Sequence, residues 1–282
     1  MKKLIATAAL CFAAAAASAQ QKADIVVSYD VVSRHWETDT VVSERMTLLA
    51  NSSQAKYFND ISLWNDSLSS TPEGARRLKE IIFAACATRN PDGSMSFDSR
   101  KGPGKKIYTY VFSDLPKGSL RYYDYFAENM GYYDEPADEM QWEIGDIQTD
   151  VLGYECIEAT TDYHGRKWTA WFTTDIPLPF GPWKFRGLPG LILKATADNG
   201  MSFTASGIEK CERVMTPIYS PEKYEKVNRK KALADKEYYI DNVEAILKAR
   251  FGDNVQFDDS GIDRPKYDAL KYAIEPDYKK SK

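Results

Sequence analysis

The chain has 282 residues, a formal net charge of −4 from 37 Lys+Arg against 41 Asp+Glu, and 13 % aromatic residues. A mildly acidic chain with interspersed signs excludes a nucleic-acid binder built on a basic patch or stripe, and nothing in the composition implies a cofactor. The length allows one large domain, or one domain with a helical appendage, and the aromatic load predicts large aromatic cores or an aromatic-lined surface.

The chain opens with Lys2-Lys3, an apolar run over residues 4–17 and the Ala17-Ser18-Ala19 cleavage pattern. That order is a secretory signal peptide over residues 1–19, not a membrane span. Ala8-Ala9-Leu10 before Cys11 does not spell a lipobox, so no lipid anchor is expected. Cleavage would start the mature chain at Gln20, take the charge from −4 to −6 and direct the protein to the periplasm, with outer-membrane association as an alternative. No second apolar run reaches the roughly 20 residues that span a bilayer, so no transmembrane span is expected in the mature chain.

Residues 24–32, 41–50 and 55–59 read as strands, antiparallel because their connections are too short for a crossover. Residues 62–70 are polar. Thr71-Pro72 then offers an N-cap with proline at the first helical position, and Leu78, Ile81, Ile82 and Ala85 continue at helical spacing to Ala87. Asn90-Pro91-Asp92-Gly93 stops that helix. The Gly/Lys loop over residues 99–106 lacks P-loop order and reads as solvated. Residues 107–112 alternate as a strand. Residues 122–146 mix tyrosines with acids that lack EF-hand spacing, and read as a strand pair with an acidic exposed connection. Residues 140–147, 151–162 and 166–174 follow as antiparallel strands, with Tyr163-His164-Gly165-Arg166 as a hairpin turn. In the last strand Trp168, Ala170 and Phe172 share one face and Trp171 sits on the other. Residues 191–197 and 201–209 form another hairpin. Ser220-Pro221 restarts helix, continuing to Phe251 in one or two pieces. The charged residues beyond Gly252 read as a tail that frays after Lys279.

Residues 165–192 are the least ordinary stretch: GRKWTAWFTTDIPLPFGPWKFRGLPGLI. A strand leads into a proline-bent crossing, then a tight turn into the buried run Leu191-Ile192-Leu193. Pro189-Gly190 suits a type II turn, which needs φ > 0 at Gly190. Gly187, Pro189 and Gly190 therefore carry a structural role. Gly187-Leu188-Pro189-Gly190-Leu191-Ile192, with Gly153-Tyr154-x-Cys156, Ala170-Trp171-Phe172-Thr173 and Gly181-Pro182-x-Lys184-Phe185 before it, resembles the GLPGLI family of Bacteroidota envelope proteins. The resemblance runs roughly over residues 25–208 and implies an exported protein with no established activity.

Three cysteines, Cys86, Cys156 and Cys211, follow the signal segment. An exported compartment permits a disulfide, and Cys156–Cys211 is the first pairing to consider. In a simple meander they lie three strands apart, about 14 Å against a limit of about 7 Å between Cα atoms. Strand order would have to bring them together, or Cys86 would be the partner.

The expected fold is α+β and mainly antiparallel: a strongly curved sheet with a mid-chain helix and a C-terminal helical segment. By analogy it resembles the half-barrels of periplasmic lipoprotein carriers. The β domain would cover residues 20–215 and the helical extension residues 216–282. Trp171, Phe180, Trp183, Lys184, Phe185 and Arg186 would form a binding mouth, since aromatics dominate hot spots and line pockets; the same aromatics could equally fill the core. The expected function is non-enzymatic binding of an apolar or peptide-like ligand or of a partner protein. A structural or accessory part in an outer-membrane assembly is the alternative. A hydrolase is disfavoured: no Gly-x-Ser-x-Gly elbow occurs, and Cys156 and His164 on one strand stand about 26 Å apart. No metal site is expected, because His35 and His164 each sit alone in a turn.

Overall fold

The computed structural model describes residues 21–98, 101–136, 140–251 and 265–279. The signal-like segment lies outside them, as do Gly252, Asp138, Glu139 and the last three lysine-rich residues. Among the described residues no helix is long and apolar enough to cross a membrane.

The strands are β1 (Ile25–Arg34), β2 (Val41–Ala50), β3 (Gln54–Phe58), β4 (Ala87–Arg89), β5 (Met95–Phe97), β6 (Tyr110–Asp114), β7 (Ser119–Phe126), β8 (Asn129–Pro136), β9 (Glu143–Val151), β10 (Tyr154–Tyr163), β11 (Arg166–Thr173), β12 (Leu191–Ala197), β13 (Ser202–Lys210) and β14 (Glu225–Lys226). Twelve of them form one open sheet in the order β14-β8-β7-β6-β3-β2-β1-β13-β12-β11-β10-β9, and β4 pairs with β5 alone. Every pairing is antiparallel except β14 with β8. Among the described residues no closed barrel forms. The first strand holds the centre: β1 pairs with β2 on one side and with β13 on the other. The two arms, β2 to β8 and β13 to β9, thus grow outward from β1.

The helices are α1 (Asp60–Ser69), α2 (Pro72–Cys86), α3 (Arg229–Phe251) and α4 (Ala269–Tyr272). The start of α2 follows its sequence: Thr71 Oγ1 accepts the Gly74 N–H at 3.1 Å, and Pro72 occupies the first turn. The polar reading of residues 62–70 is corrected. They form α1, whose start is fixed by Asn59 Oδ1 accepting the Ser62 N–H at 3.0 Å. An asparagine cap satisfies an orphan N–H and outweighs a polar composition. The helix expected at Ser220 is also corrected. Ser220 takes φ 51°, makes no capping bond, and only a 3₁₀ turn follows at Pro221–Lys223. The helix proper begins at Arg229.

The turn at Gly187–Gly190 differs from its expected geometry. Gly187 carries the left-handed φ of 91° and Gly190 does not. A Cβ on Gly190 would instead stand 2.0 Å from the Thr173 carbonyl oxygen. The glycine is needed for the close crossing of two backbones, where no side chain fits. The three cysteines are unpaired. Cys156 on β10 and Cys211 just past β13 are separated by β11 and β12 in the sheet, so strand order does not bring them together.

The principal core covers one face of the sheet. It gathers Val27 and Tyr29 of β1, Met46 and Leu48 of β2, Trp168, Ala170 and Phe172 of β11, and Leu191, Leu193 and Ala195 of β12. The proline crossing folds into this core. Phe180 bridges to Arg186, the Ile192 N–H donates to the Phe180 carbonyl at 2.9 Å, and the Gly187 N–H donates to the Pro179 carbonyl at 3.1 Å. The Tyr29 hydroxyl donates to the Ile192 carbonyl at 2.7 Å, tying the central strand to the exit of the crossing.

Candidate functional site

Six charged side chains meet beneath the C-terminal segment. Lys184, in the proline crossing, is fully buried. Its ammonium donates to Glu135 Oε1 at 2.8 Å and to the Tyr133 hydroxyl at 3.0 Å, and stands 2.5 Å from Glu275 Oε1. Tyr133 and Glu135 reach it because residues two apart on β8 point to the same face. Arg229, the first residue of α3, donates to Glu275 Oε2 at 2.7 Å and to Asp277 Oδ1 at 2.8 Å. The first turn of α3 has no acid of its own; Glu275 and Asp277 supply the negative charge that a helix N-terminus favours. The Tyr163 hydroxyl donates to Glu135 Oε2 at 2.8 Å.

His164 completes the cluster from the β10–β11 hairpin. His164 and Gly165 take φ 51° and 82°, the two left-handed positions of a two-residue type I′ turn. A Cβ on Gly165 would meet the Asp277 nitrogen at 3.0 Å, so the turn packs directly under the C-terminal segment. His164 Nε2 lies 3.0 Å from Glu135 Oε1, and Nδ1 lies 3.6 Å from Asp277 Oδ2. With both ring nitrogens facing carboxylates, His164 has no free base to offer. When it is protonated, three cations face three carboxylates.

The protonation states follow from these contacts. Burial pushes Glu135 toward neutrality, but hydrogen bonds from His164 and Lys184 and the Lys184 charge hold its carboxyl well below the usual carboxylate range. Burial acts likewise on Asp277, and hydrogen bonds from Arg229 and His164 reverse it. For His164 burial disfavours the charge, yet the bonds to Asp277 and Glu135 and the Glu275 charge raise it above its ordinary 6.5. A group with a raised folded pKa stabilises fully below its unfolded pKa and loses that contribution as pH rises through the folded one. The depressed carboxylates contribute above their unfolded values near 4 and lose it as pH falls. Lys56 on β3 opposes the alkaline trend: burial and then Arg213 lower it from 10.5 to about 7, so stability regained from it rises between those values. The expected result is that the melting-temperature advantage of wild type over His164→Asn shrinks as pH rises above 6.5, while wild type itself melts progressively lower below pH 4. Thermal melts of both proteins from pH 3 to pH 9 check this; an advantage that grows with alkalinity contradicts the assignment.

Glu135, His164 and Glu275 present ligand atoms within 4.8 Å of one another, a spacing that suits a metal ion. The Lys184 ammonium stands between the two carboxylates at 2.8 Å and 2.5 Å. The chain itself therefore supplies the cation there.

Against this cluster lies a cavity of about 340 Å³ between the sheet face and the helices. Val31, Met46, Tyr57, Tyr122, Phe203 and Trp183 form its floor. One stripe of α3, Leu233, Lys236, Glu237 and Ile240, forms part of its roof at the i, i+3, i+4, i+7 spacing of a helix face. The C-terminal segment forms the rest, with Tyr267, Tyr272, Ala273, Ile274, Glu275 and Tyr278. Arg166 holds that segment in place: its guanidinium donates to the Ala273 carbonyl at 2.6 Å and to the Ala269 carbonyl at 3.3 Å. Glu275 thus belongs to both cluster and cavity wall.

Of the residues expected at a binding mouth, Trp183 alone lines this cavity. Phe180, Phe185, Lys184 and Arg186 are buried in the core. Arg186 donates to the Lys184 carbonyl at 2.8 Å, and its own carbonyl accepts the Trp142 indole N–H at 2.8 Å. Trp171 is half-buried on the other face of β11, under Lys194 at 4.7 Å from its ring centre. Glu135 falls in the stretch read as an acidic exposed connection and is instead buried; Arg229, Glu275 and Asp277 were not expected at a site. A signal was present in Tyr272-Ala273-Ile274 and Pro276-Asp277-Tyr278, apolar and aromatic residues in a stretch otherwise read as a charged tail.

Among the described residues the fold class is thus a large, open, mainly antiparallel sheet with four helices and a roofed cavity. A family model described as a protein of unknown function, Porph_ging, matches residues 161–194, from the end of β10 through β11 and the proline crossing. This short match is consistent with a GLPGLI-type Bacteroidota family. No functionally curated protein matches the sequence. Among solved structures, one described as PNGF-II in a C2 space group aligns at 11 % identity and TM-score 0.49, over 77 % of this chain and 33 % of that one. PNGF-II in a P2₁ space group aligns at 12 % identity and TM-score 0.47, over 76 % and 33 %. The chain spans about a third of the length of these solved chains.

Proposed function

We propose that the protein is a non-enzymatic binding protein of the cell envelope that holds a small, mainly apolar molecule between its sheet and α3. The observation that carries this reading is the 340 Å³ cavity roofed by α3 and the C-terminal segment. Its size falls in the range of about 300–1,000 Å³ typical of ligand sites, and its floor is dominated by apolar and aromatic side chains, as theirs are. The half-barrel comparison with periplasmic lipoprotein carriers belongs to this reading, with α3 as the covering helix. The buried ions would fix the roof to the sheet and perform no chemistry, since each already engages another. Export through the signal-like N-terminus would place the protein in the periplasm. Native mass spectrometry of gently purified protein tests the reading. The expected spectrum carries an added mass on the order of a few hundred daltons, absent from the Leu233→Trp/Ile240→Trp variant that narrows the cavity.

A second reading, docking of a partner protein within an envelope assembly, has its own observation. β9 is a sheet edge on which Ile144 and Ile147 are exposed, and an extended segment can add to such an edge. Against it stands the irregular register of β9 with β10 between Ile157 and Ala159, a feature that blunts edges. Co-purification of a protein lost on substituting both isoleucines by lysine would favour this second reading.

A further inference from the structure

We propose that α2 and the β4–β5 hairpin form a docking surface for an anionic lipid bilayer. Phe83, Met95 and Phe97 enter the headgroup layer, and Arg76, Lys79 and Arg89 meet its phosphates. This surface is separate from the cavity, and neither reading needs the other.

The geometry brings the six side chains to one side. Among the described residues β4 and β5 pair with each other and with no other strand, and residues 91–97 are exposed throughout. Side chains two apart on a strand share a face, so Met95 and Phe97 stand side by side. Directly opposed residues share it as well: Arg89 opposes Met95, and Ala87 opposes Phe97. The face continues onto α2, where the Phe83 ring lies 6.2 Å from that of Phe97. Lys79 and Arg76 precede Phe83 by one and two helical turns and lie on the same side. Phe83, Met95 and Phe97 are 57 %, 58 % and 56 % exposed, and none of them belongs to either core cluster. They contribute little to holding this fold together. Exposed apolar side chains gathered within a polar rim mark interaction sites.

Charge and area together choose the occupant. Arg76, Lys79 and Arg89 make no ion pair among the described residues, although Glu80 stands one turn from Arg76 on the same helix. Glu80 is the one acid on this face. Asp92, at the hairpin tip, accepts the Ser94 N–H at 2.9 Å and the Ser94 hydroxyl at 2.6 Å. Three unpaired cations beside apolar side chains complement a plane of phosphate headgroups. The apolar area is small for a protein partner. Three side chains of about 200 Å² each, rather more than half exposed, offer on the order of 350 Å², against the roughly 800 Å² per partner that a stable interface buries. A bilayer sets no such minimum, because each inserted side chain and each cation near the surface adds its own contribution.

The test is flotation of the purified full chain with vesicles of equal parts phosphatidylglycerol and phosphatidylcholine, and with vesicles of phosphatidylcholine alone. The expected result is binding to the anionic vesicles that weakens with added salt, and little binding to the neutral ones. Arg76→Gln/Lys79→Gln/Arg89→Gln should weaken anionic-vesicle binding about a hundredfold, roughly fivefold for each cation. Phe83→Ser/Phe97→Ser should weaken it at least about tenfold. No flotation of wild type, equal flotation with both vesicle types, or binding indifferent to both sets of substitutions overturns the proposal. Sedimentation equilibrium adds the competing occupant: a wild-type dimer that Phe83→Ser/Phe97→Ser converts to monomer assigns the patch to a second copy of the chain and likewise overturns it. Should the serine variant not fold, the glutamine variant decides, since exposed charges can be replaced with little effect on stability. Loss of vesicle binding in either variant, with the added mass of the native spectrum retained, separates this surface from the cavity.

Discussion

Replacing Lys184 with methionine lowers the stability of the folded chain by about 3–5 kcal/mol, the usual cost of stranding one side of a buried ion pair. The size follows from where the ammonium lies. It is wholly removed from solvent and stands between Glu135 and Glu275, at 2.8 Å and 2.5 Å. It also sits over the rings of Tyr133 and Tyr122, at 4.7 Å and 4.8 Å from their centres. Methionine fills much the same volume, so packing changes little and the loss reports charge. Two carboxylates would then face each other in a dry site with only Arg229 and His164 to compensate. Adding Glu275→Gln to the Lys184→Met background removes one of these carboxylates and should return part of the loss. Urea denaturation of the two variants measures both effects. A loss below 1 kcal/mol in the single variant would mean that the cluster is not the clamp it is taken to be.

Gly190→Ala is expected to cost about 3 kcal/mol or more, or to prevent folding, because the added Cβ has no space. It would lie 2.0 Å from the Thr173 carbonyl oxygen, 2.7 Å from its carbon and 3.2 Å from the Thr174 Cα. All three are backbone atoms, at the end of β11 where the chain enters the proline crossing, and they cannot turn aside as a side chain can. Gly187 gives the comparison. Its φ of 91° strains an alanine but nothing lies within 4 Å of the added atom, so Gly187→Ala should cost about 1–2 kcal/mol. Gly207, in β13, has ordinary φ and open space, and its alanine variant should be near neutral, within about 0.5 kcal/mol. Thermal melts of the three variants give the order. Gly187→Ala falling below Gly190→Ala would return the special conformation to the wrong glycine.

The central strands were legible because local signals agree with tertiary need, whereas β4 and β5 flank a segment read only as a helix stop. β-branched and aromatic residues alternate through β1, β2, β10 and β11, and Tyr163-His164-Gly165-Arg166 sits where a two-residue turn must. The GLPGLI stretch was legible as a crossing, but not the division of labour within it. A glycine needed for φ and a glycine needed for closeness look alike in sequence. The ion cluster was not legible because its members come from five separate places: β8, the β10–β11 turn, the crossing, the start of α3 and the C-terminal segment. Lys184 read as a cation of the binding mouth beside aromatics, since burial of a lysine can be recognised only when its carboxylates are known. Those carboxylates, Glu275 above all, lie in a stretch whose composition resembles a solvated tail. The cavity was missed for the same reason, since half its roof is that segment.

If α3 and the C-terminal segment roof a site for a carried molecule, native mass spectrometry of protein purified gently from its own host detects that molecule directly. The predicted spectrum shows a species heavier than the polypeptide by a few hundred daltons, released on denaturation. In the Leu233→Trp/Ile240→Trp variant, the added mass should be gone while the thermal melt stays cooperative. A wild-type protein that carries no such mass, and that takes up no Nile red when offered it, would contradict the claim and leave the cavity as a packing feature of the fold.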